Sequence, residues 1–180
     1  MLSERAKLGI GCVAAWLAAF GIAAAPGVLR GPADAAEVAQ VGHAPPHFLL
    51  DTPSGGTISL ADFTGKPVVF NLFASWCPPC RQELPLLVGA ARHNAGKVTF
   101  VGVDEQEPAV IALSFARQLD LPYRIALDSG QFEADIGAAA IPETVFIDAH
   151  GIVRAIQHGP LTADLLAKDL AAIGAPQGSD

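Results

Sequence analysis

The hydrophobic pattern divides the chain into an apolar leader and a domain of short alternating elements. An uncharged run from Leu8 to Leu29, rich in Ala, Gly, Leu, Val and Ile, follows Glu4-Arg5-Ala6-Lys7. Roughly 20 apolar residues can cross a bilayer as one helix. Arg5 and Lys7 ahead of the run hold the N-terminus on the cytoplasmic side and send the remainder outward. Two readings of residues 1–30 stay open: an uncleaved transmembrane anchor, or a cleaved signal segment with Ala33-Asp34-Ala35 as a small-x-small site. The run is long for a signal, and Pro26 sits awkwardly after Ala23-Ala24-Ala25, which favours the anchor. A buried core helix fits poorly, because the run has no polar face. Residues 31–42, small and polar, predict a linker, and 43–175 a single domain.

Within the domain, His43-Ala44-Pro45-Pro46-His47 predicts extended backbone, since proline and its predecessor avoid the helix. Phe48 to Asp51 and Thr57 to Leu60, separated by Pro53-Ser54-Gly55-Gly56, predict a hairpin. Val68-Val69-Phe70-Asn71-Leu72-Phe73 is nearly all apolar, as a strand buried on both faces requires. A helix follows, with Leu84, Leu87, Val88 and Ala91 at helical spacing and Pro85 expected to kink it. Val98 to Val103 predicts a second buried strand. Pro108 suits the first turn of the next helix, which carries Val110, Ile111, Leu113, Phe115, Ala116 and Leu119. Ile125-Ala126-Leu127 reads as a short strand or an extended link, and residues 131–136 as a short helix. Thr144 to Asp148 and Ile152 to Ile156 flank Ala149-His150-Gly151, a second hairpin. Thr162 caps a last helix through Leu165, Leu166, Leu170 and Ile173, and 176–180 form a flexible tail. The order β-β-α-β-α-β-β-α, allowing for the leading hairpin, indicates an α/β fold with a mixed sheet.

Charge narrows the partners. Acidic residues outnumber basic ones 18 to 11, and 16 to 8 beyond residue 35. A net-negative domain without a basic patch lacks the cations that nucleic-acid binding requires.

The three cysteines carry the chemistry. Cys12, inside the apolar run, reads as an inert small hydrophobe; too little apolar chain precedes it for a lipoprotein signal. Cys77 and Cys80 form Cys-x-x-Cys between a strand and a helix. Cys77 then stands at a helix N-terminus, where unpaired N–H groups and the helix dipole stabilise a thiolate, the form that attacks disulfides. Cys80, three residues on, reaches back as the resolving cysteine. Pro78 and Pro79 stiffen the helix entry, and Trp76 is expected to cover one side of the motif. Zinc needs four ligands, or three plus water, and His43, His47, His93, His150 and His158 show no ligand spacing toward the pair. A structural staple would close a longer loop. No metal and no cofactor are called for.

The stretch Gly65-Lys66-Pro67-Val68-Val69-Phe70-Asn71-Leu72-Phe73-Ala74-Ser75-Trp76-Cys77-Pro78-Pro79-Cys80-Arg81-Gln82-Glu83-Leu84-Pro85, together with Ile141-Pro142-Glu143-Thr144-Val145-Phe146-Ile147-Asp148 and Gly151, resembles the thioredoxin-like TlpA/ResA/CcmG (DsbE) family of membrane-anchored bacterial proteins. The resemblance spans 42–173. It implies a thioredoxin-like fold, a central mixed sheet flanked by helices, here with an N-terminal β-hairpin. It implies that Pro142 is a cis-proline beside the cysteines, freeing the backbone of Ile141 to pair with an extended client strand. Glu83 matches an acidic residue of ResA-like proteins, whose pKa should rise on burial so that it exchanges a proton with Cys80. Glu143 matches CcmG-like proteins; it lends negative charge to the thiols, faces a client, or is a plain surface residue. Asn71 stands where thioredoxin itself has a buried aspartate, and it cannot relay protons. His93 and Trp16 have no convincing role.

The leading functional reading is a reductant of exported client proteins that carry a disulfide or cysteine pair. The resemblance points to apocytochrome c or a copper-site protein of oxidase assembly as client, and to a membrane thiol donor. It places the domain in the periplasm, on the inner membrane by a single span or free after export. A disulfide-forming oxidase and a non-catalytic metallochaperone or binding module are the alternatives. A peroxidase fits poorly, because Ala74-Ser75-Trp76 precedes Cys77 in place of a Thr-x-x-Cys pattern.

Overall fold

A computed structural model describes residues 38–175. The expected anchor or signal segment with Cys12 and Trp16, and the expected tail, lie outside the described residues. In chain order the elements are β1 (Leu49–Asp51), β2 (Thr57–Ser59), a 3-10 turn (Leu60–Phe63), β3 (Val68–Phe73), α1 (Pro78–His93), β4 (Thr99–Glu105), α2 (Ala109–Gln118), β5 (Arg124–Asp128), α3 (Gln131–Ile136), β6 (Glu143–Ile147), β7 (Val153–His158) and α4 (Ala163–Ala172). The strands form one sheet in the order β2-β1-β5-β4-β3-β6-β7.

The centre of the sheet explains the apolar reading of 68–73. β3 is buried along its whole length. It pairs in parallel with β4 and antiparallel with β6. Side chains alternate between the two faces. Val69 and Phe73 join Leu84 and Leu87 of α1, Phe115 of α2, Phe146 of β6 and Leu166 of α4. Phe70 and Leu72 join Phe48, Phe63, Phe132 and Ile136 on the other face. There Phe48 meets Phe70 and Phe132 edge-on, both with ring centroids 5.1 Å apart. Such contacts contribute about 1 kcal/mol each beyond their buried area.

The mixed sheet, both hairpins and the Thr162 cap, whose hydroxyl accepts the Leu165 N–H, agree with the sequence reading. Three points differ. Residues 124–128 form a full strand, β5, which joins the leading hairpin to the sheet through Asp51 and Leu127. Pro108 caps α2 instead of lying within its first turn. The last part of the expected linker is folded onto the domain: Ala39 is buried and donates to Asp135 O, and Gly42 donates to Val153 O. Small residues read as a spacer there because the hydrogen bonds that fix the segment are made by its backbone, while Ala39 adds only a methyl group to the core.

β3 and β4 end side by side, with Phe73 opposite Asp104. Leu72 lies opposite Glu143 on β6, which sets Pro142 beside the end of β3. The chain thus delivers the cysteine motif, the β4–α2 connection and the Ile141-Pro142 turn to one end of the sheet.

Candidate active site

Cys77 is the N-cap of α1, as its place between strand and helix predicts. The first turn of a helix leaves N–H groups without partners. Here Pro78 and Pro79 have none, so Cys80 supplies the first free N–H, and it donates to Cys77 Sγ at 3.2 Å. The two prolines therefore concentrate the helix-end donor onto one sulfur. Cys77 and Cys80 are joined as a disulfide, with Cα atoms 5.3 Å apart. Both are buried; Cys77 retains 2% of its surface. Trp76, beside the motif, is 62% exposed.

Glu83 lies one turn beyond Cys80 on the same buried face of α1, 3% exposed. Its Oε1 accepts from Asn71 Nδ2 at 2.8 Å, and its Oε2 accepts from the Leu161 N–H at 2.7 Å. Asn71 also donates to Thr144 Oγ1 at 3.0 Å. Burial pushes the Glu83 carboxyl above its ordinary range, and the Leu161 and Asn71 bonds pull it only part of the way back. Asn71, which cannot itself relay protons, thus orients the Glu83 carboxyl.

The Ile141–Pro142 peptide is cis, as the resemblance implies. Ile141, partly buried, packs against the cluster that contains both sulfurs. Glu143 does not fit the surface or client-facing readings. It is 1% exposed, and it alternates with Thr144 so that it points to the sheet face opposite α1, alongside Val145 and Ile147. A pleat that turns Thr144 toward Asn71 necessarily turns Glu143 away. Its Oε2 lies 2.8 Å from Nδ1 of the exposed His158, directly opposite on β7. Burial raises the Glu143 pKa, offset in part by the bond to His158 and its charge.

Sequence reasoning missed the segment 158–161. His158 meets Glu143, the Gly159 N–H donates to Pro142 O at 2.9 Å, and the Leu161 N–H holds Glu83. It also missed Glu107, whose carboxylate accepts from the Ser75 N–H and hydroxyl. No local spacing marks either feature. The signal available was topological: functional groups gather where parallel strands end.

The AhpC/TSA family profile matches residues 41–156. Thioredoxin-like protein YneN of Bacillus subtilis is 36% identical over 128 residues, covering 68% of this chain and 74% of that protein. Thiol:disulfide interchange protein DsbE of Escherichia coli is 34% identical over 130 residues, covering 69% of each. Among solved structures, a secreted Mycobacterium tuberculosis disulfide oxidoreductase homologous to E. coli DsbE superposes with a TM-score of 0.63 at 29% identity, covering 69% of this chain and 95% of that one.

Proposed function

The chain belongs to the AhpC/TSA family, and on that footing we propose that it reduces disulfides in particular exported client proteins. It is a thiol–disulfide oxidoreductase of the DsbE type, with the thioredoxin-like fold of its structural neighbours. The observation that carries the exchange reading is the pairing of Cys77 Sγ with the Cys80 N–H, one helical turn from a buried carboxyl of raised pKa. The reducing direction is supported by that buried acidic group, whose negative charge disfavours thiolates and so the dithiol form.

In the dithiol form the Cys77 thiolate attacks one sulfur of the client disulfide. A mixed disulfide forms and a client thiolate leaves. Cys80 gives its proton to the Glu83 carboxylate and attacks Cys77 Sγ, releasing the second client thiolate. The two client sulfurs gain the electron pair that the enzyme loses as its own disulfide closes. A membrane thiol donor then restores the dithiol. Ile141, Pro142 and Trp76 form the client-facing surface: the backbone at Ile141 pairs with an extended strand, and the exposed indole contacts its side chains. The clients that suit this chemistry are apocytochrome c with its haem-site cysteines, or a copper-site protein of oxidase assembly. The apolar run at 8–29 tethers the domain to the inner membrane, facing the periplasm.

Cys80→Ser in cells tests the proposal, because it removes the resolving thiol. Mixed disulfides should accumulate on Cys77, and their partners should be haem-site or copper-site proteins. A reduction potential of the Cys77–Cys80 pair as oxidising as that of a dedicated disulfide donor would reverse the assigned direction.

A further inference from the structure

Ser75, two residues before Cys77, has all three of its polar groups held. Its N–H donates to Glu107 Oε2 at 2.6 Å and its hydroxyl to Glu107 Oε1 at 2.7 Å. Its carbonyl accepts from Arg81 Nη1 at 3.1 Å. The guanidinium of Arg81 lies over the Phe115 ring, 5.2 Å from the centroid. The turn that presents Trp76 and Cys77 is therefore gripped from the β4–α2 connection on one side and from α1 on the other. The Cys77 N–H closes it by donating to Ala74 O at 3.2 Å.

Glu107 reaches Ser75 against local resistance. Gln106, just before it, has φ +54, a left-handed conformation uncommon outside glycine. The Gln106 N–H is fixed to Asp128 O at 2.9 Å. Asp104, at the end of β4 opposite Phe73, has no exposed surface. Burial first, and the charge of Glu107 second, push the Asp104 carboxyl up to about 7. A strained residue and a like-charge neighbour held at one point of a fold indicate that the point is used.

We propose that Glu107 is a positioning residue for thiol–disulfide exchange, holding Ser75 so that Cys77 Sγ stays on the Cys80 N–H while a client engages Trp76. The proposal rests on Cys77 being the attacking sulfur. A carboxylate is suited to the task because it takes both Ser75 donors at once, with bonds strengthened by its charge. An unheld turn would let the sulfur drift, and small misplacements of a reacting atom lower rates steeply.

The test compares full-length wild type, Glu107→Gln, Glu107→Ala and Ser75→Ala, all reduced. Iodoacetamide alkylation followed across pH gives the thiol pKa, and the rate of disulfide exchange with 5,5′-dithiobis(2-nitrobenzoate) at the thiolate plateau gives the positioning effect. Glutamine keeps the grip, accepting from the N–H with its oxygen and donating to the hydroxyl oxygen with its nitrogen. Its plateau rate should stay within about twofold of wild type, while Glu107→Ala falls about tenfold and Ser75→Ala lies between. The thiol pKa should drop in both Glu107 variants, since both lose the negative charge. Unfolding midpoints separate a rate effect from lost structure; if Glu107→Ala does not fold, the order wild type, Gln, Ser75→Ala decides. A plateau rate for Glu107→Ala or Ser75→Ala equal to wild type, or one for Gln as low as for Ala, overturns the proposal. Mass spectrometry of the alkylated protein tests the premise separately. An adduct on Cys80 would reassign the nucleophile, while the dependence of the plateau rate on Glu107 would still judge the grip.

Discussion

Glu83 follows Cys80 by one turn of α1, and its carboxylate is suspended between the Asn71 amide and the Leu161 N–H. The arrangement leaves the carboxyl ionisable yet reluctant to ionise. A base for a thiol works best when its pKa approaches the working pH, and burial moves Glu83 in that direction.

Glu83→Gln should therefore slow release of client by about 100-fold, while leaving Cys77 alkylation close to wild type. Mixed disulfide should accumulate on non-reducing gels, as expected for Cys80→Ser. Wild-type turnover should fall as pH drops through the raised Glu83 pKa, because the base becomes protonated, and the variant should lack that limb. Equal turnover in both proteins at neutral pH would remove Glu83 from the mechanism.

Asn71→Asp tests the support beneath Glu83. The change removes the two donor contacts to Glu83 and Thr144 and sets a second carboxylate beside the first. Loss of buried bonds and like-charge crowding should destabilise the fold by about 2–4 kcal/mol at pH 8. The loss should shrink at pH 5, where one proton can be shared. Urea unfolding at the two pH values measures it; an equal effect at both would mean that the charges do not meet.

Asp104 gives a stability prediction with a definite sign. Its folded pKa of about 7 lies above the ordinary aspartate value of 3.8, so the folded state binds the extra proton between those values. Stability falls as pH rises through that window, by up to about 4 kcal/mol. Asp104→Asn should change stability little at pH 4 and raise it at pH 8. A variant that is no more stable at pH 8 than wild type would show that the buried carboxylate is compensated.

The burial of Cys77 sets an access rule. With 2% of its surface exposed in the disulfide form, small thiols should reduce it faster than their intrinsic reactivity alone predicts relative to bulky ones. Ile141→Ala, which trims the side chain packed against the sulfur-bearing cluster, should raise the rate with glutathione several-fold and the rate with 2-mercaptoethanol less. Equal acceleration of both would trace the effect to the redox pair itself.

The elements were legible in the sequence wherever burial dictated residue type. The unbroken apolar run of β3, the alternation around Gly151 and the Thr162 cap each state their own geometry. Cys77 and Cys80 were legible because helix-end chemistry is local. What escaped came from register. Glu143 and Thr144 adjoin in sequence, yet the pleat sends one to Asn71 and the other to His158. Glu107 meets Ser75 across 32 positions because two parallel strands end together. The start of the domain escaped as well, since Ala39 and Gly42 bind through backbone atoms that every residue carries.

Between His158 and Leu161, three of four consecutive residues hold the Glu143 carboxyl, the Pro142 carbonyl and the Glu83 carboxyl proposed as the base for a thiol. Such crowding makes this stretch intolerant of changes in length in a way that its side chains do not advertise. One inserted residue after Gly159 would carry the Leu161 amide past Glu83 and leave every cysteine-motif atom untouched. The chain would retain its catalytic vocabulary and lose the grammar that joins proton to sulfur.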